Sequence, residues 1–347
     1  MTPRARIVPL FIPHLGCPHD CVFCNQRRIS GQSAPVTAAD VTAALAALPE
    51  HGNYEVAFYG GSFTAIPPEQ QRALLLAVQP YFARGTVGRI RVSTRPDAVD
   101  GAALALLREM RVETVELGAQ SMDDAVLRKS GRGHDAAATE RAAAFLRQGG
   151  FRLVLQMMTG LPGATPESDL ETARRFVALR PDAVRIYPTV ILRDTPLYAL
   201  WRRGDYQEHS VADAVALCSR LIPLFSASGI PVIRLGLNPT AELNGGAVVG
   251  GAYHPALGEL VKSRVYLEQA RVLLHTEPHG ASVVLGVFPG DISQMVGQHR
   301  CNLDALRAEF GLRALRVQAA DVPRGTIVLL DGQSGNAAPP LRNGLHL

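Results

Sequence analysis

The chain has 347 residues, 47% of them hydrophobic, and a formal charge of +4. That is enough apolar content for one large domain or two, and too mild a charge to argue by itself for an anionic partner such as RNA. No apolar run approaches the ~18 residues that a membrane span needs, and no targeting segment is read, so a cytoplasmic protein is expected.

The first predicted strand, Arg6–Ile12, leads into Cys17-Pro-His-Asp-Cys21-Val-Phe-Cys24, which holds three of the five cysteines. Thiolates are soft ligands, and three of them in one loop point to a metal or iron–sulfur site. A closed structural site takes four protein ligands, whereas three leave a position for something else. A Cys3His zinc site with His14 or His19 is the alternative, and an odd trio without a secretion signal argues against disulfides. Leu15-Gly16-Cys17 is not a lipoprotein signal, because Pro9, Pro13 and His14 interrupt an apolar run far too short for a signal core.

Short β-rich runs then alternate with Ala/Leu-rich amphipathic stretches, the pattern of a parallel sheet with crossover helices. Further strands are predicted at Tyr54–Tyr59, Arg89–Ser93, Thr114–Leu117, Arg152–Met157 and Ala183–Tyr187. Helices are predicted at Thr37–Leu48, Glu69–Phe82, Gly101–Met110, Ala136–Gln148 and Glu167–Leu179. Thr37 with Asp40 is an N-cap signal, and Gly149-Gly150 a stop. Ser210–Ala227 is a further helix and Pro231–Leu235 a candidate last strand.

In parallel α/β barrels chemistry gathers at the C-terminal ends of the strands. Here those ends carry the cysteine loop, Gly60-Gly61-Ser62-Phe63, Ser93-Thr94-Arg95-Pro96-Asp97, Glu116-Leu-Gly-Ala-Gln120-Ser, Met157 to Gly163, and Tyr187-Pro-Thr. Bare glycines let a ligand approach the backbone, with simple turn formation as the alternative. Ser93, Thr94 and Gln120 are short polar groups, and Arg95 is a planar fork suited to a carboxylate. Glu116 on a buried strand end needs a cation or hydroxyls for company. Met157 and Met158 read as filler, and Leu161-Pro-Gly as a turn.

The C-x3-C-x2-C loop with Phe23 before its last cysteine resembles the cluster loop of the radical S-adenosylmethionine (radical SAM) enzymes, and Gly60–Phe63 resembles their glycine-rich motif. Glu116 to Ser121 with Gly131-Arg-Gly-His134 is similar to a stretch shared by elongator-type tRNA wobble-uridine enzymes and oxygen-independent coproporphyrinogen oxidases. Ile186 to Trp201 is closer still to the elongator catalytic subunit. The chain departs from the elongator spacing after the first cysteine and shows no acetyl-CoA-type glycine signature. It has Asn25-Gln26 where the coproporphyrinogen branch has another cysteine.

The resemblance implies a partial (β/α)6 TIM-like barrel in which Cys17, Cys21 and Cys24 hold three irons of a [4Fe–4S] cluster. Its second cofactor is S-adenosylmethionine, with Gly60, Gly61, Ser62, Thr94, Arg95, Glu116 and Gln120 as binding candidates. Arg128 and Arg132 are further candidates for the cofactor carboxylate. It also implies reductive cleavage to a 5′-deoxyadenosyl radical that abstracts hydrogen, and an electron donor such as flavodoxin or ferredoxin. For the substrate it favours tRNA or another RNA, with a small metabolite or tetrapyrrole as the alternative. A non-enzymatic RNA-binding or assembly protein with a structural metal site is the rival from another class.

After residue 237 the pattern changes. Asn238 to Pro255 reads as a loop-rich connector, in which Glu242, Tyr253 and His254 either line the open side of the barrel or hold a surface connector together. Gly258–Leu274 is predicted as a helix, Ser282–Val287 as a strand, Leu303–Phe310 as a helix, and Leu315–Gln318 and Thr326–Leu330 as strands. The order helix, Val296-Gly-Gln-His-Arg300, helix, strand resembles a KH module with a degenerate GxxG loop; a small α+β cap buttressing the barrel is the alternative. The expected division is therefore a core at 1–237, a connector and helix packing on the barrel at 238–275, a small α+β domain at 276–331, and a disordered tail at 332–347.

Overall fold

The computed structural model describes residues 6–12, 14–17, 21–25, 34–275, 277 and 280–330. The tail expected at 332–347 lies outside them. In chain order the elements are β1 (Arg6–Phe11), α1 (Ala38–Ala46), β2 (Tyr54–Tyr59), α2 (Pro68–Leu76), α3 (Gln79–Ala83), β3 (Val87–Thr94), α4 (Gly101–Glu109) and β4 (Thr114–Gln120). Then come α5 (Asp124–Lys129), α6 (Ala136–Gln148), β5 (Arg152–Thr159), α7 (Pro166–Leu179), β6 (Ala183–Pro188), β7 (Val190–Leu192), α8 (Pro196–Arg203), α9 (Val211–Ala227) and β8 (Val232–Leu235). The last are β9 (Val248–Gly251), α10 (Leu257–Leu274), β10 (Ser282–Val287), α11 (Ile292–Val296), α12 (Cys301–Glu309), β11 (Ala314–Ala319) and β12 (Ile327–Leu330). No helix among the described residues is long and apolar enough to cross a membrane.

The chain divides into two compact units, Met1–His209 with Leu237–Tyr253 and Ser210–Gly236 with His254–Leu347. In the first, β1 to β6 lie side by side in chain order with every neighbouring pair parallel, and β1 is an edge, so the barrel is partial. Side chains alternate across a strand. Val56, Ile90, Val92, Val115, Leu153, Leu155 and Val184 are fully buried or nearly so and, through the pairs Val56–Ile90, Val92–Val115, Val115–Leu153 and Leu155–Val184, form one continuous apolar face. The opposite parity carries Glu55, Arg91, Glu116, Gln156 and Arg185, so the lumen side is polar. Near its end β4 shifts register between Gly118 and Gln120, and Gln120 takes φ +66°. A bulge of this kind re-aims a side chain.

Local signals explain the helix ends. Thr37 and Asp40 form a reciprocal capping box at α1, and Gly149 follows α6. The single helix predicted over Glu69–Phe82 is two, α2 and α3, with Pro80 in the first turn of the second. Proline lacks the N–H that a helix interior requires, and a first turn is where that loss is harmless. Helices α5 and α8 and the antiparallel pair β7–β9 were not anticipated; β9 reads as loop because of Gly250-Gly251, and its partner strand is remote in sequence.

In the second unit β10 pairs with β11 in parallel and with β12 antiparallel, in the order β11-β10-β12. Helices α10, α11 and α12 cover a core that includes Ala270, Leu274, Leu285, Val287, Met295 and Leu306. Asn302 is buried and donates to the carbonyls of Ser263, Gln294 and Met295, at 3.0, 3.2 and 3.1 Å. The strand–helix–loop–helix–strand order matches the sequence reading of this part. Gly297 (φ +76°), His299 (+51°) and Arg300 (+65°) make the sharp turn between α11 and α12.

Candidate active site

Backbone hydrogen bonds root the cysteine loop on the end of β2. Ile12 N–H donates to the Tyr59 carbonyl (2.8 Å), His14 N–H to that of Gly60 (3.0 Å), and Ser62 N–H to that of Leu15 (2.9 Å). A Cβ on Gly61 would lie 2.5 Å from the carbonyl oxygens of both Ile12 and Leu15. Real side chains do not tolerate that distance, so Gly61 is bare because two stretches of chain touch there. The freedom that the sequence reading assigned to ligand approach is, at Gly61, used by the cysteine loop itself.

On its other side the loop is held by Val22, whose N–H donates to the Ser130 carbonyl (3.1 Å) and whose carbonyl accepts from Leu197 N–H (2.8 Å). Phe23 packs against both the Val126, Met158 and Leu161 cluster and the Ile191, Leu197 and Tyr206 cluster. Cys24 N–H closes a turn onto the Cys21 carbonyl at 3.0 Å. Cys17, Cys21 and Cys24 are in no disulfide and partly exposed. Burial pushes the Cys17 thiol up, against the pull of Arg95. Among the described residues no trio of His, Cys, Asp or Glu side chains is gathered closely enough to hold a metal ion, with or without His14. His19 lies outside the described residues.

The predicted strand-end residues do converge, and several are already engaged with one another. Ser62 and Thr94 are buried and share a hydrogen bond of 3.0 Å; Thr64 reaches Thr94 at 2.6 Å, and Arg95 N–H donates to Ser62 Oγ at 3.2 Å. The Arg95 fork is bidentate on Asp97, Nε to Oδ1 at 2.9 Å and Nη2 to Oδ2 at 2.5 Å, leaving Nη1 without a partner. Glu116 finds the cation that its burial demands: its Oε2 is 3.1 Å from Arg185 Nε and 3.7 Å from Arg91 Nη1. Arg91 in turn donates to Glu55 at 2.9 Å, and Arg185 to Tyr59 Oη at 2.9 Å.

Gln120 accepts from Gln156 Nε2 at 3.2 Å. Arg132 donates to Cys21 Sγ (3.2 Å) and to the Gly118 carbonyl (2.6 Å). Arg128 is exposed on the last turn of α5, with none of these contacts. His134 Nε2–H donates to the Ala119 carbonyl (3.2 Å), and burial, reinforced by Arg132, lowers its pKa to about 4, so its ring is neutral. Within the connector, Tyr253 donates to Asn244 Oδ1 at 2.7 Å and His254 accepts from Ala256 N–H at 3.1 Å, while Glu242 is exposed.

Sequence reading missed Tyr59, Arg91, Gln156 and Arg185. A signal was available: each occupies the lumen parity of a strand whose alternate positions are apolar.

The residues fit a cluster with an amino-acid-bearing cofactor. Ser93 Oγ, Arg95 Nη1 and Arg132 Nε are buried polar atoms without hydrogen-bond partners, and both guanidiniums act on the Cys17 thiol. Buried donors of this kind are costly unless something accepts from them.

Compared with known proteins, residues 11–176 match the Radical SAM superfamily and residues 181–267 the Radical_SAM C-terminal domain. The human Elongator complex protein 3 is 30% identical over 185 residues, 48% of this chain and 34% of that protein. The tRNA uridine(34) acetyltransferase of Methanocaldococcus infernus is 27% identical over 173 residues, 49% of this chain and 32% of that protein. The chain thus spans about a third of the length of these curated relatives. Among solved structures, the archaeal Elp3 of Methanocaldococcus infernus superposes with a TM-score of 0.60 at 21% identity, covering 77% of this chain and 63% of that one. That likeness concerns the fold.

Proposed function

The chain belongs to the radical SAM superfamily, and from that premise we propose that it reductively cleaves S-adenosylmethionine to abstract hydrogen from a tRNA substrate. It is an enzyme whose cofactors are a [4Fe–4S] cluster and S-adenosylmethionine. When bound, they supply a 5′-deoxyadenosyl radical. Cys17, Cys21 and Cys24 would hold the cluster. The observation that carries this reading is the set of unpartnered buried donors, Ser93 Oγ, Arg95 Nη1 and Arg132 Nε, two of them on guanidiniums that act on the Cys17 thiol, together with a cysteine loop rooted at Gly60–Ser62. A carboxylate or ribose hydroxyls would satisfy them, and the guanidiniums favour the carboxylate.

The remaining groups position and enclose. Ser62 and Thr94 lock the second strand end to the third, Glu116 and Arg185 brace the lumen beneath, and neutral His134 holds the Ala119 carbonyl. Phe23 and Met158 keep water from one side of the loop. For the substrate, the support is the likeness to two relatives, one of them named as a tRNA uridine(34) enzyme. A low-potential donor of the flavodoxin or ferredoxin type would deliver the electron.

The test is anaerobic reconstitution with iron and sulfide, then dithionite and S-adenosylmethionine, with 5′-deoxyadenosine assayed with and without tRNA. Product that tRNA accelerates and that Cys24→Ala abolishes is expected. Cleavage indifferent to tRNA would reopen the small-metabolite and tetrapyrrole alternatives, and no cleavage would overturn the reading.

A further inference from the structure

The two hydrogen bonds that clamp Val22 also say what surrounds the cysteine loop. One comes from the end of α5 and the other from the start of α8, so the exposed sides of these helices form its rim. On α5, Lys129 is exposed and its stem lies over the turn after β5: a Cβ on Gly163 would meet Lys129 Cδ at 2.7 Å and Nζ at 2.9 Å. Arg193, just before α8, and Arg202, on it, are exposed as well. None of these three cations pairs with a carboxylate among the described residues. Arg203, by contrast, is neutralised by Asp205 at 2.9 Å.

Between Arg193 and Arg202 along the chain stands an aromatic pair. Tyr198 and Trp201 on α8 have ring centroids 6.2 Å apart and are half-buried against the cluster that also receives Val22 and Phe23. Arg202 sits 5.9 Å from the Tyr198 ring centroid and donates to its hydroxyl at 3.2 Å. Uncompensated cations interleaved with half-buried aromatic faces are the composition that tracks a nucleic-acid strand, cations on phosphates and rings under bases. Only unpaired nucleotides offer faces for stacking. A carboxylate-rich protein would match the charge but not use the rings.

We propose that this rim is a docking surface for single-stranded RNA, with Lys129, Arg193 and Arg202 on phosphates and Tyr198 and Trp201 under bases, so that a loop nucleotide is held over the cysteine loop. The proposal rests on the tRNA reading above and adds the surface that would recognise it.

Trp201 is the chain's single tryptophan, so its emission reports this surface alone. The full chain is titrated with an RNA hairpin carrying an unpaired loop, with a fully paired duplex of the same stem, and with polyglutamate. The hairpin is expected to quench Trp201, saturably and more weakly as salt rises; duplex and polyglutamate are not. Replacing Lys129, Arg193 and Arg202 by Glu should weaken hairpin binding about a hundredfold at physiological salt. Arg202→Lys in place of the Glu change at that position should recover part of it, while 5′-deoxyadenosine formed without RNA stays unchanged. Hairpin binding that leaves Trp201 emission and the triple variant unaffected would overturn the surface while leaving the tRNA reading intact. Equal quenching by polyglutamate would reassign the rim to an acidic protein. No RNA binding at all would remove the tRNA reading together with the surface.

Discussion

Glu116 Oε2 lies 3.1 Å from Arg185 Nε inside the curved sheet, joining β4 to β6, two strands that are not hydrogen-bonded neighbours. Both side chains are almost withdrawn from water, and the same carboxylate faces Arg91, which in turn holds Glu55. Removing one member of a buried ion pair leaves an uncompensated charge. Glu116→Ala should therefore destabilise the chain by about 3–5 kcal/mol, read as a fall in the urea midpoint. Glu116→Gln combined with Arg185→Met should recover much of the loss. An unchanged midpoint in Glu116→Ala would show that the lumen is wetter than its burial implies.

Gly61→Ala places a methyl against the carbonyl oxygens of Ile12 and Leu15. Both are backbone atoms, so the cysteine loop must move. The expected outcome is a fold destabilised by about 1–3 kcal/mol and a marked drop in iron and sulfide taken up on reconstitution. Full iron content in this variant would mean that the loop finds its place without the β2 contact.

Thr94 receives or gives hydrogen bonds to both Ser62 and Thr64, 3.0 and 2.6 Å away. Thr94→Val keeps the shape and deletes the hydroxyl, leaving two hydroxyls short of a partner at a cost of about 1–3 kcal/mol. Thr94→Ser should restore most of the stability. If Val and Ser behave alike in denaturant, the hydroxyl contributes nothing and packing alone matters.

Two buried groups give stability opposite dependences on pH. Asp169 accepts from Gly160 N–H at 2.9 Å, and burial pushes its carboxyl from 3.8 to about 7. Between those values the folded chain keeps a proton that the unfolded chain releases, so this group's stabilisation is complete below pH 3.8 and lost as pH rises through 7. His134, lowered from 6.5 to about 4, acts the other way: in that window the unfolded chain binds a proton that the fold refuses, and stability falls as pH falls. Asp169→Asn keeps an acceptor for Gly160 and cannot ionise. Its stability relative to wild type should rise steadily from about pH 4 to pH 7 and level off above, measured as urea midpoints across the range. Parallel curves would show that Asp169 is ionised in the fold.

Features set by neighbours along the chain are legible in the sequence. Thr37 with Asp40 caps its helix, Gly149 ends another, and Tyr54–Tyr59, Ala136–Gln148 and Ser282–Val287 carry the predicted bounds, because caps, stops and strand periods depend on neighbours along the chain. The spacing of Cys17, Cys21 and Cys24, and the placing of polar groups after six strands, likewise needed only sequence order. The β7–β9 pair escaped, since Gly250-Gly251 reads as loop until a distant partner strand is present to use it.

The alternating βα order, the polar parity of the strands and the cysteine loop are set by residues close together along the chain. What each site residue is for depends on the packed strands. The fold shows that Gly61 is bare for chain contact, that the Arg95 fork is largely taken by Asp97, that Arg132 reaches Cys21 rather than standing apart, and that Arg185 balances Glu116. These assignments turn on how strongly the sheet curves and on which strand ends it brings within hydrogen-bond reach. Curvature and register are properties of many strands packed together, and no period within one segment encodes them.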